Sequence, residues 1–103
     1  MSFVVDKRSH PRVSLDTEVT CELPDGTQVE GRCKDISIGG MFVITQASVP
    51  FGTDIRIRIR LPRARQDFAL PGVVRWINPD GFGVQFGLLG ARETHAISEL
   101  LRR

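Results

Sequence analysis

Hydrophobic and polar residues alternate along most of this chain with a period of two. Val13, Leu15, Thr17, Val19, Cys21 and Leu23 fall on one face of an extended segment, with Ser14, Asp16, Glu18, Thr20 and Glu22 on the other. That is the pattern of a half-buried strand. Pro24-Asp25-Gly26-Thr27 is a turn, after which Val29, Gly31 and Cys33 resume the inward face. A two-residue Asp25-Gly26 loop would set Cys21 against Glu30, pairing an inward position with an outward one. The connection should therefore hold an odd number of residues, with a bulge. The two cysteines then share a face without being opposed, which argues against a disulfide.

Further along, Met41 to Thr45 is a short apolar strand, and Val49-Pro50-Phe51-Gly52-Thr53 is a turn. Ile55, Ile57, Ile59 and Leu61 then alternate strictly with Arg56, Arg58 and Arg60, predicting an amphipathic strand with an arginine-lined outer face. Phe68-Ala69-Leu70 leads into a strand over 72–77, Asn78-Pro79-Asp80-Gly81 turns the chain, and Phe82 to Phe86 pairs back as a hairpin. The remainder reads as helical: Leu88, Leu89, Ala96, Ile97, Leu100 and Leu101 form the apolar stripe. About six short strands followed by one helix predict a mainly β fold. The expectation is a small six-stranded antiparallel barrel over 13–103, with a C-terminal helix at about 91–102. Residues 1–12 lack this periodicity and are read as a flexible N-terminal arm, which Pro11 keeps extended.

Composition narrows the function. The 103 residues suit one compact domain without room for a separate output domain, and a net charge of +2 is too small for bulk polyanion binding. All basic residues except Lys7 and Lys34 are arginine, the side chain suited to phosphates and guanine edges. No apolar run reaches the length of a membrane span, and the N-terminus runs straight into charge, so a cytoplasmic protein without membrane insertion is expected. Cys21 and Cys33 lack metal-ligand spacing and read as buried free thiols. His10 and His95 stand alone, and no nucleophile–base grouping appears, so neither an enzyme nor a metal protein is expected.

Two segments carry candidate chemistry. In Asp35-Ile36-Ser37-Ile38-Gly39-Gly40 a carboxylate and a hydroxyl stand two apart, so an extended chain projects both from one face while Ile36 and Ile38 point inward. Gly39 and Gly40 suit a bulge, a left-handed turn or the close approach of a flat ligand. Taken alone, Asp-x-Ser before Gly-Gly is an ordinary hairpin-closing turn. Arg8-Ser9-His10-Pro11-Arg12 sets two guanidinium groups four residues apart, which in isolation is a solvated charge run. Together they offer bidentate donors for phosphate or guanine O6 and N7, and a carboxylate acceptor for guanine N–H groups. Trp76 reads first as core or rim packing, with stacking in the site as the alternative; Arg56, Arg58 and Arg60 are a solvated face or a docking patch.

Read as Arg-x-x-x-Arg plus Asp-x-Ser-x-x-Gly, the pair resembles the nucleotide-binding signature of the PilZ family of bacterial cyclic di-GMP receptors. The stretch Gly72-Val73-Val74-Arg75-Trp76 with Gly81-Phe82-Gly83-Val84-Gln85-Phe86 is similar to that family's closing hairpin. The resemblance implies that Arg8 and Arg12 clamp phosphates and guanine, that Asp35 and Ser37 read guanine, and that Gly40 is the motif's terminal glycine. Lys7 stands where many members carry a further arginine, a position that bears on whether one nucleotide or an intercalated pair fills the site. The function implied is a second-messenger receptor that needs no cofactor and signals through a separate effector protein as its arm orders on the ligand. Two alternatives stand beside it: a protein adaptor of the same fold that binds no nucleotide, and a small barrel for single-stranded nucleic acid. The latter would want more exposed aromatic residues than six Phe, one Trp and no Tyr offer.

Overall fold

A computed structural model describes residues 12–102 of the chain. Six strands occur in the order β1 (Val13–Glu22), β2 (Gln28–Ile36), β3 (Gly40–Ile44), β4 (Asp54–Ile59), β5 (Phe68–Asn78) and β6 (Gly81–Phe86), and helix α1 (Ala91–Leu101) follows. They close into an antiparallel barrel with the spatial order β1-β2-β3-β6-β5-β4. The fold is thus mainly β, with one C-terminal helix. Among the described residues no helix is long and apolar enough to cross a membrane.

The interior is what the alternation predicts. Val19, Cys21, Ile57, Ile59, Leu70 and Val84 are buried, and β4 alternates outward and inward along its whole length. Burial of each such aliphatic side chain contributes about 1.5–3 kcal/mol. Ile97 and Leu100 bring α1 onto this core. Leu88, by contrast, precedes the helix and is 97% exposed, so it is not part of the buried stripe. The chain is still crossing from β6 to the Gly90 N-cap at that point.

Between β1 and β2, Glu22 pairs with Gln28 and Cys21 with Val29, so the connection runs from Leu23 to Thr27, an odd number of residues. Cys33 lies opposite Thr17, away from Cys21, and both cysteines are free and buried. Three register shifts interrupt the ladders: at Leu15-Asp16 in β1, at Lys34 in β2 and at Arg75 in β5. A β-bulge adds a residue to one strand; at Lys34 and Arg75 it reverses the sidedness beyond it, whereas Leu15, Val19 and Cys21 keep one inward face along β1. The period-two pattern does not disclose them, and they shape the outer face.

Candidate functional site

In β2, Cys33 points inward and so does Ile36, with two residues between them. The bulge at Lys34 makes this possible, and Lys34 and Asp35 consequently both face outward. The bulge in β5 does the same for Arg75 and Trp76, beyond buried Val74. The two shifts fall in register. Asp35 pairs with Phe42, Phe42 with Gly83, and Gly83 with Trp76. An outward row therefore crosses four adjacent strands, from a carboxylate to an indole.

Gly83 is what lets this row lie flat. A Cβ there would collide with Cε3 of the Trp76 ring, so the indole covers the place where a side chain would stand. Trp76 is 57% exposed, and therefore belongs to the outer surface instead of the core. Lys34 Nζ lies 6.0 Å from the centroid of the Phe42 ring, within cation–π range.

A cleft of about 460 Å³ opens over this row, with Arg12, Lys34 and Asp35 at one side, Phe42 and Gly83 in its floor, and Trp76 beyond. Asn78 and Asp80 close its far end. Arg12 joins the two sequence motifs: its Nε and Nη2 donate to Oδ1 of Asp35 at 3.0 and 2.7 Å. Both side chains keep solvent contact, with 44% and 28% exposure. Among the described residues, no other hydrogen bond engages the Asp35 carboxylate or the Arg12 guanidinium.

Ser37 and Gly40 have different tasks from those that simple alternation implies. Ser37 is buried, because the chain has left extended geometry and is turning. Its Oγ accepts from the Gly39 and Gly40 N–H groups at 3.1 and 3.2 Å, while its own N–H donates to the Gly40 carbonyl. This is the Ser turn that closes the β2–β3 hairpin, and it holds the loop next to Asp35. At Gly40 an added Cβ would overlap the Val84 carbonyl of β6, so barrel closure itself requires glycine. The Gly39 carbonyl accepts from the Phe86 N–H at 2.8 Å, which ties the turn to β6.

Arg8 and Lys7, the other basic residues singled out in the sequence, lie outside the described residues, as does most of the arm. Phe42, Gly83, Lys34 and Asp80 join the cleft without having been singled out. The signal that could have found them is the pair of bulges, which the sequence carries only as Lys-Asp and Arg-Trp doublets where alternation should place one member inside. Arg56 and Arg58 on β4 and Arg60 just beyond it face solvent, two of them paired, Arg58 with Glu22 and Arg60 with Asp67.

The PilZ domain family profile matches residues 6–103. The cellulose synthase catalytic subunit (UDP-forming) of Xanthomonas axonopodis pv. citri is 34% identical over 79 residues, which are 77% of this chain and 11% of that enzyme. The chain thus spans about a tenth of that relative's length. Among solved structures, the PilZ domain of CeSA from a cellulose-synthesizing bacterium superposes with a TM-score of 0.71 at 20% identity, covering 89% of this chain and 95% of that one. The PilZ domain of Escherichia coli YcgR with c-di-GMP gives 0.75 at 14% identity, covering 94% and 90%. At such identities these structures speak for the fold.

Proposed function

The chain belongs to the PilZ domain family, and on that premise we propose that it is a receptor for cyclic di-GMP. The observation that carries the reading is the Arg12–Asp35 ion pair, which joins Arg-x-x-x-Arg to Asp-x-Ser-x-x-Gly at the mouth of an aromatic-floored cleft. Asp35 accepts hydrogen bonds from the N1–H and 2-amino group of guanine. Arg12, and Arg8 from the arm, take phosphate or guanine O6 and N7 and stack on the ring. Phe42 and Trp76 supply apolar faces for a purine, and Lys34 adds a positive charge. Ser37 serves indirectly, through the turn that fixes Asp35; Gly39 leaves the adjoining surface without a side chain, and Gly40 lets β3 close against β6 beside it.

The chain acts as a binding module, not as an enzyme, and the similarity to a short part of a much larger synthase suits that role. We place it in the cytoplasm. Ligand binding draws residues 1–12 over the cleft, where Arg8 and Arg12 engage the nucleotide together with Lys7, and the altered surface is what a separate effector protein reads. Ordering each residue costs roughly 1–2 kcal/mol, which a ligand with two phosphates and two stacking faces can offset.

Calorimetry with cyclic di-GMP, GTP and a single-stranded oligonucleotide at two salt concentrations tests the proposal. Saturable binding of cyclic di-GMP alone is expected. Binding of the oligonucleotide with steep salt dependence would assign the surface to nucleic acid, and no binding of any of them would leave the protein-adaptor reading.

A further inference from the structure

Positive charge is concentrated on a side of the barrel away from the cleft. Residues 55–67 hold five arginines and one carboxylate in a chain whose net charge is +2, so the remainder of the chain is net acidic. Arg56 and Arg58 project from β4, Arg60 lies just past its end, and Arg63 and Arg65 belong to the loop that leads to β5; all five are exposed. In the closed order of strands β4 stands opposite β3, which carries Phe42 in the floor of the cleft. The two surfaces therefore face away from each other.

The loop that continues this strip has a defined turn. The Ala64 N–H donates to the Leu61 carbonyl at 3.0 Å, closing a turn with Pro62 and Arg63 at its corners. Arg63 has φ of +69°, the left-handed setting that a type II turn with proline at its first corner ordinarily gives to glycine. Among the described residues no other non-glycine residue has a positive φ. The fold thus accepts a strained backbone where glycine would suit the turn better, and gains an outward guanidinium there. At the far end of the loop Arg92 of α1 lies over the Phe68 ring, 5.7 Å from its centroid, which fastens the helix to the start of β5. Arg58 and Arg60 pair with Glu22 and Asp67, but these are exposed contacts of little weight that yield to a competing carboxylate.

What flanks the arginines decides what they fit. On one side Arg56 and Arg58 stand across the ladder from Pro71 and Ala69 of β5, which are small, apolar and half-buried. On the other side they stand across from Glu22 and Thr20 of β1, a strand that also exposes Glu18 and Asp16. A basic strip thus runs between an apolar strip and an acidic one. A nucleic acid or an anionic bilayer, charged throughout, would be pressed against those carboxylates as well. We infer that the basic strip is a docking surface for an acidic amphipathic helix of a protein partner, with its carboxylates on the arginines and its apolar edge on Ala69 and Pro71. Outward residues of a strand recur every ~6.8 Å, and helix positions four apart every ~6 Å. Carboxylates at that helical spacing therefore meet Arg56, Arg58 and Arg60 in turn, and a guanidinium takes each one bidentately. The strip and the cleft are on opposite sides, so partner and nucleotide are held together, and the inference does not depend on the nucleotide reading.

Amide NMR on the full chain tests this with a synthetic helical peptide that carries glutamate at every fourth position and leucine along the adjoining stripe. Saturable shifts are expected over residues 55–65 and at Ala69 and Val73, and none with the counterpart in which lysine replaces glutamate. Arg56→Ala/Arg63→Gly should bind the peptide about tenfold or more weakly, as for the loss of charge-assisted contacts. Its melting temperature should hold, since glycine suits the left-handed position. Peptide binding that is kept or tightened in saturating cyclic di-GMP supports the inference; displacement by the nucleotide would put the peptide in the cleft and overturn it. No saturable shift, equal shifts with the lysine peptide, or undiminished affinity in the folded variant would each overturn it as well. So would tighter binding of a single-stranded oligonucleotide or of anionic phosphatidylserine vesicles to the same residues. A protein that takes the peptide here but no cyclic di-GMP would leave this surface standing and remove the nucleotide reading alone.

Discussion

Asp35 owes its outward position to the extra residue beside it, and its orientation to Arg12. Removing either partner should cost nucleotide binding on the order of 1.5–3 kcal/mol, the range for a charge-assisted contact. Asp35→Ala should weaken cyclic di-GMP more than a cyclic di-AMP control, because adenine lacks the N1–H and 2-amino donors; equal losses measured by calorimetry would deny this residue a role in base reading. Two glycines separate site from scaffold. Gly83→Ala presses on the Trp76 ring, an exposed side chain that can swing away, so it should change Trp76 emission and weaken the ligand while shifting stability by less than about 1 kcal/mol. Gly40→Ala meets the Val84 backbone, which cannot swing, and urea melts should show a loss of about 1–3 kcal/mol or more.

At the scale of elements, the strands that alternate strictly were legible, and the places where alternation breaks were not. β1 and β4 could be read because one face must be buried, and that fixes which residues are apolar. The bulges at Lys34 and Arg75 leave no such mark, since a polar or amphipathic residue is acceptable on either side of the shift. That is why Asp35 was legible as a candidate site residue through its motif while Phe42 and Gly83 were not, and why Trp76 read first as packing. The inward faces of β1 and β2 also carry a pH signature. Burial, with the charges of Glu30 and Asp35 adding to it, pushes the thiols of Cys21 and Cys33 up to about 12 from 9.0. Between those values the unfolded chain has lost protons that the native state keeps, so the native state binds more protons and stability falls as pH rises. Each thiol contributes about 1.4 kcal/mol per pH unit there and nothing below. Chemical denaturation at pH 9 and 10.5 should reveal this loss, and Cys21→Ala/Cys33→Ala should flatten it; an equal slope in the variant would refute the assignment.

For the molecule as a whole, closure of the barrel brings β2, β3, β6 and β5 side by side, so residues from 35 to 83 in sequence share one outward row. Arg12, just ahead of β1, lies at the same cleft. The proposed wrapping of the ligand by residues 1–12 predicts that hydrogen exchange on that segment slows when cyclic di-GMP is added. Protection that does not change would mean that the signal leaves the cleft by another route. Trp76 is the only tryptophan of the chain and lines the cleft, so its emission reports directly on whether nucleotide enters between Asp35 and the indole. Titration with cyclic di-GMP should change that emission saturably in the unmodified protein, and the transition should be lost or moved to much higher ligand concentration in Arg12→Ala and Asp35→Ala proteins that melt normally. Emission that stays constant, or the same titration curve in both variants, would contradict a guanine site at this cleft.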